Sequence, residues 1–153
     1  MTKISKKAID KVLAMYRPEQ RILLEADVEP SKAIGKFFIG PCYYVFDDFD
    51  HATDIEIQLC LNQLSYISVY QAINSGMHPY LNGKNFFELQ KNGMVILESR
   101  KRFRRPIPKN IEITGELELK DIRERRGIVF ASSNFQFEDR SCIGSLELAI
   151  IDR

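Results

Sequence analysis

Two amides stand where amides are usually excluded: Asn62 and Gln63 lie inside EIQLCLNQLSYISVYQAINSG, a run that is apolar on nearly every side of a helix. Buried amides need partners. The pair therefore marks either a polar site at a seam between helix and sheet, or two amides that cap backbone groups or bond across a subunit seam. Just upstream, Asp47, Asp48, Asp50, His51, Asp54 and Glu56 gather at one junction. Asp50, His51 and Glu56 have the side chains for acid–base chemistry, while aspartates in a turn before a helix also suit its dipole with no chemistry at all. The third group is Ser99-Arg100-Lys101-Arg102-Phe103-Arg104-Arg105-Pro106. Strand alternation sends Arg100, Arg102 and Arg104 to one face, where guanidinium forks suit phosphate; the same charges also guard an exposed edge strand against pairing.

Composition bounds what these groups can serve. With 153 residues, 44% of them apolar and 28% charged, the chain reads as one globular domain, 1–153, able to bury a substantial core. Lys and Arg number 22 against 21 Asp and Glu, so no global field steers it to nucleic acid or an anionic membrane. Charge broken up along MTKISKKAIDKVLAMYRPEQ leaves no signal-peptide apolar block and no membrane span, and a cytoplasmic protein is expected. Cys42, Cys60 and Cys142 are odd in number and lack CxxC or Cys-His spacing, which argues against a disulfide frame or a zinc site and for buried free thiols. There is no Gly-rich phosphate loop, no GxSxG elbow and no metal-ligand cluster. Neither metal nor redox cofactor is expected. His78, beside Pro79, reads as a surface residue.

The elements that must position the candidates follow from periodicity. Ile4, Ile9, Val12, Leu13 and Tyr16 recur at helical spacing until Pro18, giving a short amphipathic N-terminal helix. Arg21 to Val28 and Lys32 to Ile39 read as extended runs joined at Glu29-Pro30-Ser31, and Gly40-Pro41 breaks the edge before a further extended run, Cys42 to Phe46. The long helix starts at an N-cap supplied by Thr53 or Asp54 and ends near Asn74-Ser75-Gly76, spanning about 30 Å. A short helical segment lies around Asn85 to Gln90. Met94 to Phe103, Ile111 to Arg123, Gly127 to Phe137 and Ser141 to Ile151 then read as four strands of an antiparallel meander. This order predicts an α+β hotdog fold, a curved antiparallel sheet wrapped around one long central helix.

The segments GKFFIGPCYYVF, DHATDIEIQLCLNQLSY and KRFRRPIP, in this order and spacing, resemble the FcoT-like fatty acyl thioesterases, a hotdog family, over about Tyr16 to the C-terminus. The resemblance implies a site of tyrosines and asparagines in place of a catalytic carboxylate, and the matching positions are Tyr16, Tyr44 and Asn62. A further family asparagine falls on Thr53, which lacks the amide's paired donor and acceptor. It also implies thioester hydrolysis, in which Asn62 places water or binds the carbonyl and a tyrosine hydroxyl donates to the thioester oxygen. Gln63 joins the substrate contacts. Arg102 and Arg104 would meet the phosphates of a fatty acyl-CoA, or the phosphopantetheine arm and acidic surface of an acyl-carrier protein. The competing expectations are a dehydratase-like lyase, although the His-Gly-x-Pro pattern of such enzymes is missing, and a non-hydrolytic acyl-thioester binder. An uncovered sheet edge and helix flank predict at least a homodimer.

Overall fold

The computed structural model describes residues 1–152. Its organising element is the helix α2, Asp54–Ser75, and the caps at both ends are local chemistry. Thr53 stands at the N-cap, its hydroxyl accepting from Ile55 N at 3.3 Å, while the Glu56 carboxylate reaches back to Thr53 N at 2.9 Å to close a capping box. At the far end Gly76 takes the left-handed conformation, φ 68°, that glycine adopts without steric cost. Ile57, Leu61, Leu64 and Ile67 have no exposed surface. Burying an aliphatic side chain of this kind stabilises by roughly 1.5–3 kcal/mol, so this face holds the helix against the sheet. A second stripe, Gln58, Leu59, Asn62, Tyr66 and Tyr70, is only half buried.

Seven antiparallel strands surround α2: β1 (Thr2–Lys3), β2 (Leu23–Glu29), β3 (Lys32–Phe38), β4 (Met94–Phe103), β5 (Glu112–Arg125), β6 (Ile128–Phe137) and β7 (Cys142–Ile151). Their spatial order is β1-β2-β3-β5-β6-β7-β4. The helix α1 (Lys6–Val12) is capped by the Ser5 hydroxyl, which accepts from Ala8 N, and it packs Ile9 and Val12 into the same core. α3 (Phe86–Asn92) follows α2 and leads into β4.

Two expectations change here. Only β5, β6 and β7 form a meander. β4 lies beyond β7 at the free edge, because β5 pairs with β3 (Ala33 opposite Leu117) and the proline-containing connection 104–111 crosses back instead of turning tightly. Cys42 to Phe46 is a series of turns and bends, not a strand. Pro41 removes a ladder donor, and Cys42 N donates to Asp48 Oδ1 at 3.0 Å instead of to a neighbouring strand. The segment wraps the N-terminal end of α2.

β4 is held close against β7. Lys101 sits opposite Gly144, and a Cβ on Gly144 would meet the Arg100 carbonyl at 1.8 Å, so only glycine fits. On its other side β4 has no neighbour, and Val95, Ile96 and Leu97 are exposed along that edge at 39–50%.

Candidate active site

The capping end of α2 holds a polar network built on Glu56, which is 7% exposed. Its Oε2 accepts from the Thr53 hydroxyl at 2.9 Å and from the Tyr44 hydroxyl, and its Oε1 accepts from the Cys42 thiol at 3.2 Å. Burial alone would raise the Glu56 carboxyl, but these donors and the Thr53 backbone N–H outweigh it and hold the group below its ordinary range. Burial and the bond to Glu56 together push the Tyr44 phenol up. The carboxylate is therefore ionised, and Tyr44 and Thr53, whose oxygens are 2.9 Å apart, each spend their single proton within this network, on Glu56 or on one another. Toward a ligand these two hydroxyls offer only lone pairs. Of the two tyrosines that match the family positions, Tyr44 is thus oriented to accept, from water or from an amine, which leaves Tyr16 as the tyrosine able to donate.

Behind this network, Lys109 has a fully buried side chain. It donates to Cys42 Sγ at 3.1 Å, to Asp48 Oδ1 at 2.5 Å and to the Phe49 carbonyl at 3.2 Å. Lys109 and the Cys42 backbone bring the Asp48 carboxyl down to about 2. The acidic turn is thus tied to the fold through Asp48, whereas Asp50 and His51 pair with each other at 3.0 Å on the surface, the Asp50 side chain wholly exposed. That is the solvated-turn reading of the pair. Of the three acid–base candidates only Glu56 is buried.

Asn62 belongs to a different cluster, on the half-buried stripe. Lys101 Nζ, on β4, donates to Gln58 Oε1 at 2.5 Å, to Ser99 Oγ at 3.0 Å and to Asp54 Oδ1 at 3.0 Å; Ser99 Oγ donates to the same Gln58 oxygen at 2.7 Å. An ammonium has donors only, so it fixes which end of the Gln58 amide faces it. Gln58 Nε2 must then donate to Asn62 Oδ1, at 2.9 Å. This leaves Asn62 Nδ2 as an outward donor, and among the described residues nothing accepts from it. Which end of the Asn62 amide faces outward is thus set by a lysine on another element. Tyr16 folds back over the same face of α2, its ring 6.4 Å from that of Tyr66, one turn beyond Asn62. Burial, reinforced by Tyr66, pushes the Tyr16 phenol up and keeps it protonated.

Three expected residues are placed elsewhere. Gln63 has no exposed surface, and its amide is engaged at both ends: Oε1 accepts from Ile22 N and Leu23 N, both at 3.1 Å, and Nε2 donates to the Gln20 carbonyl at 2.6 Å. It anchors the start of β2 and has no group free for a substrate. Ser99 and Lys101 face α2, so Arg102 turns to the opposite, exposed face of the sheet; Arg104 lies past the end of β4. Gln58, Ser99 and Lys101 are the site residues that sequence reasoning missed. The available signal was the i, i+4 spacing of Gln58 and Asn62, which puts both amides on one face.

Along the same stripe, Gln58, Asn62, Ser65, Val69 and Ala72 succeed one another at helical spacing. The last three line an apolar cavity of about 80 Å³ between α2 and the sheet, walled also by Leu148 and Ile150 of β7. A fixed amide donor thus precedes, on the same helical stripe, the residues that line the apolar cavity. A model of the FcoT-like thioesterase domain matches residues 11–150. The chain belongs to the FcoT-like thioesterase family. Its relatives include a (2E)-enoyl-ACP glycyltransferase of Streptomyces coeruleorubidus, 25% identical over 159 residues, covering 94% of this chain and 95% of that protein. Another, from Mycobacterium marinum, bears the same name and is 32% identical over 114 residues, 69% of this chain and 61% of that longer protein. A thioesterase of Pseudomonas aeruginosa superposes with a TM-score of 0.63 at 9% identity, over 97% of this chain and 94% of that one. A virulence protein of Campylobacter jejuni gives 0.57 at 16% identity, with the same coverage. The fold is the hotdog fold. Among the described residues no helix is long and apolar enough to cross a membrane.

Proposed function

We propose that this protein is a cytoplasmic enzyme that hydrolyses fatty acyl thioesters, with Asn62 Nδ2 as the donor to the thioester oxygen. The observation that carries this reading is the orientation of Asn62: Lys101 and Gln58 turn its N–H away from their own cluster, one turn before Ser65, the first residue of the same helical stripe to line the apolar cavity. A donor set in advance where negative charge grows needs no reorganisation during reaction. Tyr16, protonated, lies against Tyr66, one turn further along the same face of the helix. The acyl tail would run from Asn62 along α2 into the cavity. Arg102 and Arg104, on exposed positions outside this groove, suit an acidic carrier-protein surface better than a diphosphate lying beside Asn62.

Thr53 and Asn62 are separated by about 13 Å along the helix axis at 1.5 Å per residue, too far to share one thioester within a single chain. A second copy, joined through the open β4 edge, resolves this by bringing the acceptor pair Tyr44 and Thr53 to Asn62, where they hold the attacking water and relay its proton toward Glu56. The exposed Val95, Ile96 and Leu97 support pairing there. Light scattering is expected to give a dimer or higher oligomer at micromolar concentration. A stable monomer would remove both the pairing and the shared site.

The two glycyltransferase relatives favour a second reading. Polarising the carbonyl of a 2-enoyl thioester also activates C3, so the same donor would promote addition of an amine held by the Tyr44 and Thr53 lone pairs. Purified protein should be given saturated acyl-CoA, and separately a 2-enoyl thioester with and without glycine, while free thiol and product mass are followed. Thiol release from the saturated substrate alone supports hydrolysis. Glycine-dependent mass gain on the enoyl substrate, with the saturated thioester left intact, would replace hydrolysis by conjugate addition; no change in either would sink both.

A further inference from the structure

The cavity on α2 contains one feature that a plain hydrocarbon tail does not explain. Ser65 is 3% exposed, lines the cavity, and its hydroxyl has no hydrogen-bond partner among the described residues. The other hydroxyls nearby on the helix behave differently: Ser68 Oγ folds back to the Leu64 carbonyl and Ser75 Oγ to that of Gln71, both at 2.7 Å. Ser65 forgoes that local bond. An unpaired buried hydroxyl is destabilising, and a hydrophobic residue at this position would carry no such cost. The walls around it, Val69, Ala72, Leu148 and Ile150, are apolar, and a trapped water needs two to four polar partners. Polar groups at the rim are already paired, Lys32 with Glu116 at 2.6 Å and His78 with the Pro30 carbonyl at 2.9 Å. Ser133, on β6, adds a second hydroxyl to the sheet wall.

We propose that the acyl group taken by this site carries a hydrogen-bonding substituent, a hydroxyl, keto or amino group near its thioester end, and that Ser65 selects for it. The position follows from the helix. Ser65 lies three residues beyond Asn62, about 4.5 Å along the axis, or about three to four carbon–carbon bonds of an extended chain from a carbonyl held by Asn62. The substituent therefore falls at C4 or C5. A saturated chain of the same length fills the cavity but leaves Ser65 unpaired, and the difference is discrimination by a site built to bond a polar group. The inference rests on the proposed placement of the thioester at Asn62.

The test uses binding, so that it stands apart from turnover. Ketone analogues of acyl-pantetheine, with a methylene in place of the sulfur, would be prepared as a saturated chain and as its 3-, 4- and 5-hydroxy forms, and titrated calorimetrically into the wild-type protein and Ser65→Ala. One hydroxylated analogue should bind ~5–10-fold more tightly than the saturated one to wild type, and Ser65→Ala should abolish that preference without weakening the saturated analogue. The variant without ligand should melt no lower than wild type, since it loses only an unpaired group. Equal affinities throughout, or a preference that survives in Ser65→Ala, would overturn the role of Ser65 while leaving the thioester site intact. A clear fall in Tm for Ser65→Ala would overturn it too, by showing that the hydroxyl already has a partner. If neither the saturated nor any hydroxylated analogue binds, the thioester placement fails along with it.

Discussion

Asn62→Ala is expected to lower kcat for thioester turnover by ~10²-fold or more with little change in KM, because a donor to the growing oxyanion acts mainly in the transition state. The fold should survive. Asn62 is half buried and bonds only Gln58, so its removal leaves a partly exposed amide and no cavity in the packed face formed by Ile57, Leu61, Leu64 and Ile67. Asn62→Asp sharpens the result. The carboxylate still accepts from Gln58 and could still hold a water, but it cannot donate, and it brings negative charge to the place where the oxyanion forms. Activity in the Asp variant should fall at least as far as in the Ala variant. If Asn62→Asp were clearly more active than Asn62→Ala, with matching melting temperatures, Asn62 would be a water holder and the donor assignment would be wrong.

Gln58→Glu should be nearly as damaging, although Gln58 touches no substrate. The substitution is close to isosteric and keeps the acceptor for Lys101 and Ser99, yet a carboxylate has no N–H to give Asn62. Asn62 must then turn its own Nδ2 toward Glu at that position, and the outward donor is lost. A fall in kcat of ~10²-fold is expected, and the combination with Asn62→Ala should cost little beyond either single change, since both remove the same interaction. Additive losses in the double variant, or a Gln58→Glu enzyme with full activity, would break the chain from Lys101 to Asn62. A simple structural role for Gln58 predicts lower stability with kcat per folded molecule unchanged, so the melting temperature separates the two outcomes.

Much of the fold is local chemistry and was therefore legible in the chain. Thr53 and Glu56 three residues apart make a capping box wherever an apolar helix follows, and Gly76 closes the same helix because only glycine takes its left-handed conformation cheaply. The strand runs of β5, β6 and β7 and the α+β order follow from period-2 patterning and turn residues in the same way. What a pattern cannot convey is which of two like residues meets which distant partner. Asn62 and Gln63 are neighbours of the same chemical type, but a helix turns about 100° per residue, so they leave it in different directions. One becomes an outward donor and the other a buried anchor for β2, because Leu23 lies against one side of α2 and Lys101 against the other. The run Cys42 to Phe46 has the composition of a strand but is not one, because its hydrogen bonds go to Asp48 and Glu56 side chains instead of to a sheet. The basic run hid its informative member: alternation correctly separated Lys101 from Arg100 and Arg102, but only the placement of β4 beyond β7 decided which face looks at the helix. Sequence alone determined that a polar helix face and a sheet would meet; the orientation of one amide, on which the proposed chemistry turns, was decided by a lysine 43 residues away from Gln58, through contacts that exist only once the chain is folded.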